Sequence, residues 1–213
     1  RFDPWRALFL VAAVAILVGG PRHPSGTMAE MLAHTDWLFS HSMVLAGYLA
    51  FLAGLILYRR ARALPALTAR WSRLAVIGTT LQAVEMILHT AAVVDGEKLA
   101  AGLSTPILTT HLVLSVTMYP IFAATVIGLI VAGARERTLG SRWIAPIGIL
   151  GTAAHGLAAP LVILLEVPGA TFLFMGVAWF AAWCALTAFW PAPVPAAAAD
   201  ADPVGSRVAA TTV

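Results

Sequence analysis

Apolar residues in this chain come in long unbroken runs parted by short polar stretches, and that spacing sets the elements it predicts. Six runs are long enough to cross a bilayer as helices, at roughly 5–20, 36–58, 72–94, 106–133, 143–165 and 169–190. A spanning helix needs about 20 residues. The runs are continuously apolar, with none of the in/out alternation of a barrel strand. The expected class is therefore all-α: an integral membrane bundle of six transmembrane helices. The first run lies near the start of the chain, as a signal peptide would. Gly19-Gly20-Pro21 is a poor cleavage site, however, so the run is read as a helix. Residues 1–190 then form one six-helix domain. The remainder, 191–213, is a Pro/Ala-rich stretch expected to be disordered.

Composition supports the membrane class. The chain is 60% hydrophobic and 11% charged, more apolar surface than a soluble domain of 213 residues can bury. Charge then sets the expected orientation. Arg59, Arg60, Arg62, Arg70 and Arg73 follow the second run, Arg135, Arg137 and Arg142 follow the fourth, and Arg1 and Arg6 stand at the start. The alternate connections hold only Arg22 and Lys98, beside Glu30, Asp36, Asp95, Glu97 and Glu166. The excess of positive charge on one side places both termini in the cytoplasm, in a bacterial-type cytoplasmic membrane. The net charge of +3 is thus a topology signal and not a nucleic-acid footprint. Each arginine taken alone reads as an anchor to anionic head groups of the lipid bilayer. The single cysteine, Cys184, permits no intramolecular disulfide.

Short connections predict antiparallel neighbours. The exception is Pro21 to Thr35, where Thr27 and Glu30 match a capping box. A second helix starting at Met28 would put His34 and His41, seven apart, on one face. Pro120, Pro146 and Pro160 fall within runs and are expected to kink them. A faint internal repeat pairs the second and third runs with the fourth and fifth. Each hairpin descends from a histidine (His41, His111), turns near Trp71-Ser72-Arg73 or Ser141-Arg142-Trp143, and returns to another (His89, His155).

Those four histidines carry the chemistry. His41, His89 and His111 each lie about five residues from the outer end of a run, or roughly 8 Å down; His155 and Glu85 lie deeper, at about 14 Å. Glu85 and His89 are four apart and share a helix face, which Gln82 extends. Ionisable groups in hydrocarbon are costly, so several at shared depth mark a functional site. An unpaired carboxylate at that depth needs a partner, and His89 and His155 are the nearest candidates. His23 and His34 read as solvated loop residues. Met28, Met31, Met43, Met86 and Met118 read as packing residues, although thioethers also suit copper.

Three uses compete for such a pocket. A b-type haem would take His41 and His111 as axial ligands across a bundle of spans two to five, with His155 nearby and Glu85 and His89 handling protons. A non-haem Cu, Zn or Fe ion would take His41, His89, His111 and Glu85. A proton or ion path would use the same groups as a relay. Six spans with one histidine on each of the four central helices, at His41, His89, His111 and His155, resemble the ascorbate-reducing type of cytochrome b. That resemblance implies haem held by second-with-fourth and third-with-fifth helix pairs. This chain departs from the pattern in keeping all four histidines in the outer half, so it implies at most one haem.

No Gly-rich phosphate loop, HExxH or Cys pair is present, and no lysine lies within a run to form a retinal Schiff base. The sequence thus points to a membrane protein with a histidine-lined site for haem b or a metal, serving electron transfer or oxidation of a small or lipid-soluble substrate. The rivals are a metal-ion or proton transporter and an accessory subunit of a larger membrane complex. Homo-oligomer formation is left open.

Overall fold

A computed structural model of the chain describes residues 3–61, 63–167 and 169–190. Its helices are α1 (Pro4–Gly19), α2 (Met28–Ala33), α3 (Asp36–Ala61), α4 (Ala66–Ala91), α5 (Gly96–Ala100), α6 (Pro106–Arg135), α7 (Ala145–Ala159) and α8 (Gly176–Phe189). Six helical stretches are long and apolar enough to span a membrane. Arg1, Arg62 and the stretch 191–213 lie outside the described residues.

The local chemistry explains the boundaries. Pro4, Pro106 and Pro146 sit in first turns, where a missing N–H leaves no hydrogen bond unmade. Pro146 therefore starts α7 instead of kinking a span. Pro120 lies inside α6, and Pro160 opens a π-helical turn, Pro160–Leu164, that prolongs α7. The third span begins earlier than its apolar run, directly after Pro65, and takes Arg70 and Arg73 into its first turns.

Two N-termini are capped from a distance. Asp95, fully buried, accepts hydrogen bonds from the Ile107 and Leu108 N–H groups at the start of α6 (2.7 and 3.1 Å). Glu136 accepts from the Thr68 N–H at the start of α4 (2.8 Å). Both carboxylates satisfy orphan donors and oppose the positive end of the helix dipole.

Each spanning helix packs on its chain neighbours, α1 on α3, α3 on α4, α4 on α6, α6 on α7 and α7 on α8, and α8 returns to α1. The result is a closed ring. Arg6 of α1 seals the last seam by donating to the carbonyls of Ala188 and Trp190 at the end of α8. Small residues let the backbones approach, as membrane helices require in place of a hydrophobic drive. A Cβ on Gly176 would lie 2.3 Å from the Gly151 carbonyl, and one on Gly78 would lie 2.1 Å from the Thr125 hydroxyl.

The ring is apolar outside and divided within. Ile77, Val113, Leu150 and Phe189 are among the large apolar side chains exposed on its surface, where lipid would cover them. Inside, the end that carries the arginine-rich connections is filled by Phe9, Phe51, Phe122, Phe180 and Trp183 in edge and tilted contacts. Trp5, Trp37 and Trp183 are all buried to 1% exposure, so these three belong to the interior and not to an interfacial belt. The tryptophans of the suspected repeat are not equivalent either. Trp71 lies against Gly128 of α6, whereas Trp143 is exposed.

Candidate metal centre

The opposite end of the ring holds the histidines. Trp37 and His41 lie on the first two turns of α3, Glu85 and His89 on the last two of α4, and His111 on the second turn of α6. Because α4 stands between α3 and α6, these residues are consecutive around the ring. His41 and His111 therefore do not face each other across a bundle. Their rings form an uneven stack: Trp37 lies near-parallel on His41 at 4.0 Å between centroids, His89 is tilted 46° to His41 at 4.4 Å, and His111 lies near-parallel on His89 at 3.9 Å.

The line of rings continues outward, edge-on, to His23, which is exposed as the sequence predicts. His23 follows a 3-10 turn, Gly20–Arg22, that folds the chain back over the end of α1, and its ring lies 4.8 Å from His41. Burial against that stack lowers its pKa below the usual imidazole value, the hydrogen bond to the Pro24 carbonyl opposing the shift. His34 is exposed as well. The Thr27–Glu30 capping box forms, but α2 stops at Ala33, and exposed His34 accepts the Asp36 N–H at the start of α3 (3.1 Å). The break removes the shared face expected for His34 and His41.

Glu85 is fully buried and finds its partner on the next helix. Its Oε1 is 2.6 Å from His111 Nδ1 and 3.8 Å from His89 Nδ1, and its Oε2 accepts from Gln82 Nε2 at 3.1 Å. The i, i+4 neighbour His89 is thus the weaker contact. His155, the other partner expected, bonds instead to the Tyr48 hydroxyl through Nε2 (2.8 Å) and stacks on Tyr119 at 4.7 Å. It lies one layer deeper and joins neither ligand set described below.

Hydrogen bonds to main-chain carbonyls fix which imidazole nitrogens are free. A carbonyl only accepts, so the His41 Nδ1–H donates to Trp37 O and the His23 Nδ1–H to Pro24 O, both at 2.7 Å. On each ring Nε2 is left with its lone pair, the usual preparation of a metal-ligating histidine. His41 Nε2 and His89 Nδ1 are buried with no hydrogen-bond partner. Buried polar atoms are nearly always satisfied, so these two need explaining.

A metal ion bound here would give both atoms a partner. Among the described residues, two sets of donors have their ligand atoms within 4.8 Å of one another: Glu85, His89 and His111, and His23, His41 and His89. Tetrahedral coordination at the usual bond lengths spaces donors about 3.3 Å apart. The 2.6 Å and 3.8 Å separations around Glu85 straddle that value, so adjustments of under about 1 Å would close the site. Haem fits less well, because the His89 ring occupies the space between His41 and His111 and leaves no slot for a macrocycle. Met28 and Met31 pack around Leu32 and Trp37, and Met86 lies in the main core. No protein-family model, curated protein or solved structure matches the chain.

Proposed function

We propose that this is a membrane metalloprotein that holds one divalent first-row transition-metal ion between Glu85, His89 and His111. The ion serves chemistry on a small or lipid-soluble substrate at the histidine end of the bundle. The observation that carries this reading is the ligand set itself, buried Glu85 and His111 with half-buried His89, converging from α4 and α6. Mixed nitrogen and oxygen donors of this kind suit Zn, Cu or Fe. Such an ion, when bound, supplies a Lewis acid or, for Cu and Fe, a one-electron couple. The protein's share is to hold Glu85, His89 and His111 in position, with Gln82 steadying the carboxylate.

The aromatic filling of the arginine end favours a resident ion over a transported one. A transport route would have to part Phe51, Phe122, Phe180 and Trp183, which interlock across the ring. By the excess of arginine, the aromatic end faces the cytoplasm and the site faces outward.

Elemental analysis of the detergent-purified protein tests the reading. One transition-metal ion per chain is expected, lost in Glu85→Gln, His89→Ala and His111→Ala and kept in His155→Ala. Absorption spectra before and after dithionite should show no Soret band. A Soret band that disappears in His41→Ala would replace this reading with haem b.

A further inference from the structure

His23 at the surface and Glu85 in the interior stand at opposite ends of one stack, and His89 belongs to the ligand set at each end. Resting on the metal reading above, we propose that His23, His41 and His89 capture the divalent ion at the surface and that His89 passes it to Glu85 and His111.

Three features of the structure support the hand-over. The outer set is prepared to ligate, since His23 and His41 both hold their Nδ1–H on a carbonyl and keep Nε2 free. The two sets differ in exposure, from His23 in solvent contact to Glu85 with none, which gives the path a direction. They also differ in charge. The outer set is three neutral imidazoles, whereas the inner one includes a carboxylate, so a dication gains electrostatic energy on moving inward where water is excluded. In the transfer His89 stays bound while His23 and His41 are exchanged for Glu85 and His111. Only metal–ligand bonds are made and broken, and the hydrogen bond between Glu85 and His111 opens as the ion arrives. Because one residue serves both sets, they fill in turn and not together.

Cobalt(II) is a suitable probe, since its visible ligand-field bands differ between nitrogen-only and mixed-donor sites. Full-length wild type, His23→Gln and Glu85→Gln would be mixed with Co(II) in detergent micelles by stopped flow. The wild type should bind one ion per chain and pass through a transient nitrogen-only spectrum. Glu85→Gln should stop at that first spectrum and, holding the ion only at the exposed outer set, give it up on desalting. His23→Gln should reach the wild-type final spectrum, but at least about tenfold more slowly, the lower end of what local concentration of an ion contributes to association rates. It should also release the ion to a chelator correspondingly slowly. His23 is exposed, and equal thermal melts for His23→Gln and wild type would exclude misfolding. Loading of His23→Gln at the wild-type rate would overturn the proposal. So would loss of its final spectrum, which would make His23 a ligand of the resident site, or two ions per wild-type chain, which would mean both sets fill at once. No Co(II) binding by the wild type at all would sink the underlying metal reading as well.

Discussion

Glu85 and His155 show how one buried polar residue differs from another in this protein. Glu85 touches the candidate ligands directly, so Glu85→Gln should weaken metal binding by at least the 10–100-fold typical of partners around a metal site. Isothermal titration with Zn(II) would measure it. His155 has a different task, holding the Tyr48 hydroxyl at 2.8 Å in the layer below. Tyr48→Phe should leave the metal stoichiometry untouched yet destabilise the fold by about 1–3 kcal/mol, the cost of a buried group left without its partner. A variant that instead lost the ion would move His155 into the site. The residue scale also shows how an i, i+4 pattern misleads. Glu85 and His89 do share a face of α4, but the short hydrogen bond goes to His111 on α6, a contact no spacing within one helix reveals.

Helices α4 and α6 owe their starting points to carboxylates elsewhere in the chain. Asp95→Ala removes the one oxygen that accepts from both the Ile107 and Leu108 N–H groups, and thermal melting should drop by several degrees. Because His111 rides on the second turn of α6, metal affinity should fall with it. Glu136 gives a pH signature. Hydrogen bonding to Thr68, its side chain first, holds the Glu136 carboxyl below its ordinary value of 4.5. A depressed carboxylate contributes stability that is present above the unfolded value and is lost as pH falls through the folded one. Melting temperature should therefore fall as pH drops below 4.5, and Glu136→Gln should flatten that decline. Glu30, likewise held below its ordinary value by Thr27, should keep part of it in the variant. The depressed pKa of His23 works in the same direction at higher pH. Its contribution is complete above the ordinary 6.5 and declines as the unfolded chain begins to take up the proton.

As a whole the molecule is a ring with a polar end and an aromatic end, and both halves bear on function. If the aromatic half is closed to ions, proteoliposomes should take up Zn(II) no faster than protein-free vesicles. Saturable uptake that Glu85→Gln abolishes would instead make the ion a cargo. Ring integrity depends on close seams. Gly176→Val would drive a side chain into the Gly151 carbonyl, and overpacking of this kind costs about 1–3 kcal/mol. The seam between α7 and α8 carries no member of either ligand set, so the variant should melt earlier while binding one ion per chain.

Much of this architecture was legible in the sequence, for a physical reason. Transfer of a residue into hydrocarbon is a local property that adds along the chain, so run length alone located six spans, and distance from the run ends put His41, His89 and His111 near one depth. The capping box at Thr27 and Glu30 was legible in the same way, because both partners lie within one turn. What lay beyond reach were relations between helices. The order around the ring placed α4 between α3 and α6, which turned a supposed facing pair into a continuous stack. A break after Ala33 removed His34 from consideration, and a turn at Gly20–Arg22 brought in His23. Those outcomes depend on helix rotation and on which seams close, and both are decided by contacts such as Gly176 on Gly151 and Arg6 on the end of α8 between residues far apart in the chain.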